Sequence, residues 1–228
     1  MRTASAVASL SRKSAKTARR LREMYERLYA HFGPCHWWPG SSPFEIAVGA
    51  VLTQNTAWKN VEQAIANLKA AGVLELEAMR ALKPAELAEL IRPAGYYNLK
   101  EKRLRNLLDM LHHKCQGDLD RLWQRPLAEA RELLLSVKGV GPETADSILL
   151  YAGGRPTFVI DAYTFRVLER HGLISDGDAY YDLQALFMKN LEPDPAFYNE
   201  FHALIVRLGN VICKKTTPLC DECPLQGW

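Results

Sequence analysis

A chain of 228 residues, 48% apolar and 24% charged, can bury one sizeable core or two small lobes and has the composition of a folded globular protein. No apolar run approaches the roughly 18 to 20 residues that span a bilayer, which argues against a membrane protein. The net charge of +3 is uneven: seven of the 29 basic residues and none of the 26 acidic ones fall within 1–22, which leaves 22 against 26 elsewhere, so any nucleic-acid-binding face must be locally basic.

Those first residues, with Arg2, Arg12, Lys13, Lys16, Arg19, Arg20 and Arg22, read as a solvated, partly disordered tail, with a DNA-steering arm or a cleaved targeting peptide as alternatives. A first helix is expected over 14–32, where Ala18, Leu21, Tyr25, Leu28 and Tyr29 share a face, and it stops at Gly33-Pro34. The irregular run Cys35-His36-Trp37-Trp38-Pro39-Gly40 follows. Large aromatics in a loop either plug a core edge or face a ligand. Phe44 to Thr53 is apolar nearly all round, as a buried central helix should be. Thr53-Gln54-Asn55-Thr56 is then a polar turn, in which Asn55 or Thr56 can cap a helix that begins near Trp58. Helices are expected at 58–71, 75–82, 84–92 and 98–114, the last two separated by a loop with paired tyrosines, Tyr96 and Tyr97. Lys100, Lys102, Arg103, Arg105 and Lys114 make 99–114 strongly basic, which taken alone is a solvated helix face.

The stretch 126–161 is the most specific. Leu127, Ala130, Leu133 and Leu134 recur at helical spacing, and Val137-Lys138-Gly139-Val140-Gly141 breaks the pattern with two glycines around one apolar residue. A second helix starts at Pro142, a residue suited to the first helical position. Backbone N–H groups of such a turn and helix start form an anion site that a phosphate fits. Beyond Gly153-Gly154-Arg155-Pro156 and the apolar run Phe158-Val159-Ile160 stands Asp161.

Helices are further expected at 162–171, 179–191 and 197–213. Apolar residues come as helical stripes with almost no strand-like alternation, so the fold class is all-α. Gly and Pro concentrate near 40–43 and 153–157. This divides the chain into a tail and first helix (1–42), an inserted lobe (43–153) carrying the hairpin at 126–152, and a C-terminal lobe (154–228), with the first helix packing on the last lobe. Five cysteines form no even disulfide set, and Cys213, Cys220 and Cys223 cluster within 213–228. That pattern indicates a reducing, cytoplasmic compartment and a metal or cluster site.

VKGVGPETADSILL followed by VIDAYTFRVL resembles the helix-hairpin-helix, Gly/Pro-rich loop and aspartate of the endonuclease III superfamily of DNA glycosylases. WWPG, LTQNTAW, RPAGYYNLKEKRL and KGVGPETADSILLYA are similar to its 3-methyladenine DNA glycosylase branch, and together they cover most of 35–170. The resemblance implies two helical lobes with the hairpin at the cleft between them, double-stranded DNA containing a damaged base as the partner, a monomer, and association with the nucleoid if the source is bacterial. It makes Asp161 the catalytic carboxylate, Gln54 the side chain that fills the gap left by a flipped base, and Tyr96 the wedge on the opposite strand. Lys138, Gly139, Val140, Gly141 and Thr144 would contact DNA, while Trp37, Trp38, Pro39 and Trp58 would line the base pocket with Glu143 beside them.

Physical chemistry agrees with that assignment. A carboxylate stabilises an oxocarbenium-like transition state and can orient or deprotonate the attacking water. An N-alkylated purine carries positive charge that an electron-rich aromatic slot attracts, and it is already a good leaving group. Members of the superfamily that also cut the strand carry a lysine where this chain has Glu143, and a carboxylate cannot form the Schiff base. The expected activity is therefore hydrolytic and monofunctional on an N-alkylated purine such as 3-methyladenine. A bifunctional endonuclease III acting on oxidised pyrimidines and a non-catalytic DNA-binding module are the alternatives.

Cys213-x6-Cys220-x2-Cys223 matches three ligands of the endonuclease III [4Fe-4S] pattern. The pattern continues through five residues to a fourth cysteine, which would stand at position 229, one beyond Trp228, so the fourth ligand is expected there or from another group, or the site is degenerate or incomplete. Zinc is the alternative metal.

Overall fold

The computed structural model describes residues 4–38, 40–175 and 177–228, with side chains from residue 14 onward, and among these there is no β-strand. The chain forms two compact units, Met1–Trp37 with Pro156–Trp228, and Trp38–Arg155. The divisions lie a few residues from the Gly/Pro-rich points named above.

The first unit holds α1 (Ala4–Phe32), α10 (Ala162–Arg170), α11 (Tyr180–Met188) and α12 (Pro195–Val211). Helix α1 begins at Ala4 rather than residue 14, so the basic stretch from Arg12 to Arg22 is helical, while Arg2 lies outside the described residues. Residues 4–32 contain neither glycine nor proline and are rich in Ala, Arg, Lys and Leu, which favour helix. Leu21, Met24 and Leu28 are fully buried, whereas Tyr29, expected on the same face, is largely exposed. Tyr25 reaches Phe197 and Phe201 of α12 at ring distances of 4.6 and 5.4 Å. Phe158 stacks on Phe187 at 3.8 Å and stands edge-on to Phe201. Phe158, Val159 and Ile160 are buried throughout, so the residue that follows them has a fixed origin.

The second unit runs through α2 (Pro43–Leu52), α3 (Trp58–Ala70), α4 (Leu76–Ala81), α5 (Pro84–Leu90), α6 (Tyr97–Cys115), α7 (Asp120–Trp123), α8 (Leu127–Leu135) and α9 (Pro142–Ser147). As its composition requires, α2 is the buried centre, packed with Leu68, Leu87, Leu104, Leu108 and Ile148. It starts at Ser42, whose hydroxyl accepts from the Glu45 N–H, with Pro43 at the first position. Glu45 is itself buried and satisfied by the Ser41 N–H and by Lys69 at 2.8 Å. Helix α3 is capped differently from the expectation: Ala57 is the cap residue and offers no side-chain bond, while Asn55 takes a left-handed conformation at φ 52°. Helix α7 is too short to leave a periodic signal.

Helix α6 departs most from the sequence reading. Lys102 and Lys114 are exposed, but Lys100 and Glu101 are buried. Glu101 pairs with Arg105, which also donates to the Leu82 carbonyl. Lys100 Nζ donates to the carbonyls of Leu52 at 2.8 Å and Ala94 at 2.7 Å, the buried C-terminal ends of α2 and of the short 3-10 turn Arg92–Ala94. A periodic pattern of charge cannot distinguish a lysine that faces water from one that satisfies two buried helix ends.

Burial, aided by the Arg103 charge, lowers the Lys100 pKa from 10.5 to about 8. Between those values the unfolded chain holds a proton that the folded chain has released, so this group makes the protein more stable as pH rises. Lys100→Met leaves two buried carbonyls unpaired and should cost about 2–4 kcal/mol at pH 7 in denaturant unfolding. The difference from wild type should widen from about pH 8 upward.

Candidate active site

The hairpin is built from α8, a turn over 136–141, and α9, which continues as a π-helical turn over Ile148–Ala152. Arg131 grips the fully buried Asp146 with two bonds of 2.8 Å and so staples α8 to α9. Gly139 has φ +99°, and a Cβ there would come within 2.4 Å of Arg103 Cγ, so both backbone and packing demand glycine. Gly141 is different. It is the α9 cap residue at φ −95°, and a Cβ there would meet nothing within 4 Å. No steric contact among the described residues requires glycine at 141, where it serves as a helix cap and leaves the backbone open to solvent. Val140 is buried and its N–H donates to the Val137 carbonyl. Lys138 and Glu143 are exposed, and Thr144 is buried.

The hairpin carbonyls are held from neighbouring elements. Asn106 Nδ2 donates to the Lys138 carbonyl at 2.8 Å. Gln54 Nε2 donates to the Gly139 carbonyl at 3.0 Å and to Thr144 Oγ1 at 2.9 Å, while its Oε1 accepts from Arg103. Tyr96 is 71% exposed, holds a left-handed backbone at φ 46°, and accepts from the N–H groups of Leu99 and Lys100 as α6 begins.

In the same unit, the Trp38 ring stacks on Tyr151 at 4.9 Å and 17° and meets the edge of Trp58 at 5.1 Å. Trp38 has φ +63°, a rare backbone state for a bulky residue that calls for a compensating contact. A pocket of about 200 Å³ is lined by Trp38 and Trp58 with Glu45, Glu62 and Lys69. Pro39 lies outside the described residues.

Asp161 belongs to the other unit and is the cap of α10. Its Oδ1 accepts from the Thr164 N–H at 2.8 Å and the Thr164 hydroxyl at 2.9 Å, and its Oδ2 lies 3.5 Å from Nε2 of the buried His202. Burial pushes its pKa up, but His202 and the two Thr164 donors outweigh that, and the net shift is downward. The carboxylate is therefore ionised at neutral pH. Trp37 stands edge-on to His202 at 6.5 Å, so His202 joins Trp37 and Asp161 in one cluster.

Cys213, Cys220 and Cys223 line one pocket of about 170 Å³ with Arg170 and His171. Arg170 donates to Cys213 Sγ at 3.3 Å and to the carbonyls of Lys214 and Lys215. Among the described residues no three His, Cys, Asp or Glu converge on a single-ion site.

The family model described as HhH-GPD superfamily base excision DNA repair protein matches residues 48–193. The chain belongs to the HhH-GPD superfamily. It is 46% identical to the "Putative DNA repair glycosylase MJ1434" of Methanocaldococcus jannaschii over 211 residues, 90% of this chain and 93% of that one. It is 29% identical to endonuclease III of Thermotoga maritima, covering 82% of each. Among solved structures, the H. pylori 3-methyladenine DNA glycosylase MagIII bound to 1,N6-ethenoadenine is 32% identical, with a TM-score of 0.69 over 86% of this chain and 96% of that one. As an HhH-GPD protein the chain is a base-excision DNA glycosylase with the superfamily's all-helical fold. No helix among the described residues is long and apolar enough to cross a membrane.

Four residues of these clusters escaped sequence reasoning. His202 is one polar position in the apolar α12, and Tyr151 sits within an apolar run, so both read as core. Arg103 and Asn106 read as solvated. Only the i, i+3 spacing that they share with Lys100 hinted at a common face.

A carboxylate whose folded pKa is depressed contributes stability that is complete above its unfolded value near 3.8 and is lost as pH falls through the folded one. Asp161→Asn keeps a good cap residue but loses the charge. Its stability deficit, measured by denaturant unfolding, should hold constant from about pH 5 to 7 and shrink below about pH 4.

Proposed function

We propose that the protein is a monofunctional glycosylase that everts an N-alkylated purine such as 3-methyladenine from double-stranded DNA and hydrolyses its glycosidic bond. The observation that carries this reading is Asp161: a carboxylate kept ionised in a nearly dry site, with one oxygen locked by Thr164 and the other turned to His202. Ionised and fixed, it can stabilise positive charge on the sugar as the base leaves and direct a water to the same carbon. Glu143 occupies the position at which the lyases of the superfamily carry their nucleophilic lysine, so strand cutting has no amine there.

Substrate class follows from the aromatic residues. Trp38 and Trp58 supply the aromatic wall proposed to receive the base, and the likeness to MagIII supports the choice of an alkylated purine. A cationic base gains on the order of 0.5–2 kcal/mol from such rings beyond ordinary stacking. Gly141, open to an external group, with Lys138, Gly139, Val140 and Thr144, forms the phosphate-binding hairpin, while Gln54 and Tyr96 act on the emptied stack.

The three thiols fit a [4Fe-4S] cluster as three of its four ligands. They line one pocket of about 170 Å³, and zinc is the alternative metal for the same thiolates. Its role here is structural: Cys213, Cys220 and Cys223 would hold the loop that carries Lys214 and Lys215.

On duplexes carrying alkylated purines, Asp161→Asn should lower base release at least about 100-fold. Borohydride reduction during turnover should trap no covalent adduct, and an adduct that disappears on replacing one lysine would make the enzyme a lyase. Wild-type protein should show broad visible absorbance that Cys220→Ser abolishes. A colourless, fully folded protein would remove the cluster from this account.

A further inference from the structure

Helix α6 carries Lys100, Arg103 and Asn106 at i, i+3 and i+6, a stripe along one face. Together their side chains reach three other segments of the same compact unit. Lys100 holds the carbonyl of Leu52, where α2 gives way to the Gln54 turn, and the carbonyl of Ala94, two residues before Tyr96. Arg103 donates to Gln54 Oε1, and its aliphatic stem lies across Gly139. Asn106 holds the Lys138 carbonyl. Gln54 closes the circuit through its bonds to Gly139 and Thr144. The amide of Gln54 is thus engaged at both ends, and it cannot enter a duplex without giving up all three bonds.

We propose that this stripe, centred on Arg103, is a positioning device that couples the Gln54 turn and the Tyr96 wedge to the hairpin, with Gln54 latched on the hairpin until a base is everted. This rests on the proposed function, because only an enzyme that grips a backbone and empties a stack uses the three segments together. The coupling has a physical source. A phosphate arriving at the hairpin offers the Arg103 guanidinium a charged acceptor, and a charge-assisted bond is stronger than its bond to a neutral amide. Arg103 that turns to the phosphate releases Gln54 Oε1, which weakens the latch at the moment when the backbone is gripped. The ligand binds the unlatched state better than the latched one, and that difference in affinity is what allows it to shift the balance.

Arg103→Met keeps the stem over Gly139 and removes the guanidinium. The test uses an oligonucleotide alkylated with dimethyl sulfate, single-stranded or annealed to its complement, and a second duplex with 2-aminopurine beside an abasic site to report unstacking. In single-turnover reactions, Arg103→Met should slow release from the duplex about tenfold or more through misplacement of the turn. It should leave single-strand release and the Tm within about twofold and about 2 °C of wild type. Gln54→Leu combined with Arg103→Met should be no slower on duplex than the slower single variant, since both break one device. Equal losses on duplex and single strand, or additive losses in the double variant, would overturn the proposal. If wild-type protein releases no base from either form, the functional reading fails instead. The stripe is then judged by 2-aminopurine fluorescence on binding, where a response in Arg103→Met that differs from wild type supports it and an unchanged response rejects it.

Discussion

Helix ends that terminate in a dry interior leave carbonyl groups that must find donors, and the second unit is arranged around how that need is met. At Leu52 and Ala94 the donor is a single ammonium, Lys100, buried to 1% exposure. Burying such a charge is costly unless its donors are used, and here two of three are spent on carbonyls that would otherwise be orphaned. Two turns therefore start from one fixed point. In the hairpin, where the carbonyls lie in an exposed turn, neutral amides hold them, through Asn106 on Lys138 and Gln54 on Gly139. Rigidity at these three places comes from satisfying backbone rather than from apolar packing, since the turns themselves bury little.

In the first unit one carboxylate caps a helix and, in the function proposed here, also serves the reaction. As the cap of α10, Asp161 accepts the Thr164 N–H, and the positive end of the helix favours its negative form. In the proposed reaction that same favoured charge is what a departing base would require of it. Structure and chemistry do not compete at this position. The buried run Phe158-Val159-Ile160 fixes where the cap begins, and His202, from α12, fixes the far oxygen. Because both tasks want the ionised form, burial does not drive the group to neutrality as it would an isolated acid.

Much of this was legible in the sequence because it is written in local rules. Apolar stripes at helical spacing gave the all-helical class, and Pro142 after Gly141 marked the start of α9. Asp161 stood out through the resemblance of its motif to the superfamily's aspartate, and the structure adds that it caps α10. What was not legible depends on distant partners. Lys100 looked solvated until its acceptors, 48 and 6 residues away, were in place. Asn55 and Thr56 are sound caps by propensity, yet the chain enters α3 through Ala57, because Asn55 is needed in the left-handed turn that follows α2. His202 and Arg103 carry no local signature at all. Their meaning lies in Asp161, 41 residues before the one, and in Gln54, 49 residues before the other.

The π-helical turn at Ile148–Ala152 has a bearing on how this site could arise and be lost. Such a turn is an α-helix with one residue more than its hydrogen bonds need, so it behaves as a single-residue insertion accommodated without breaking the helix. Everything beyond the insertion is rotated by about 100° relative to an uninterrupted helix. Tyr151 lies inside that turn, and from there its ring stacks on the face of Trp38. Chain length within the run is thus a heritable determinant of the aromatic wall: a lineage could keep every ring and still lose their stacking by dropping one codon.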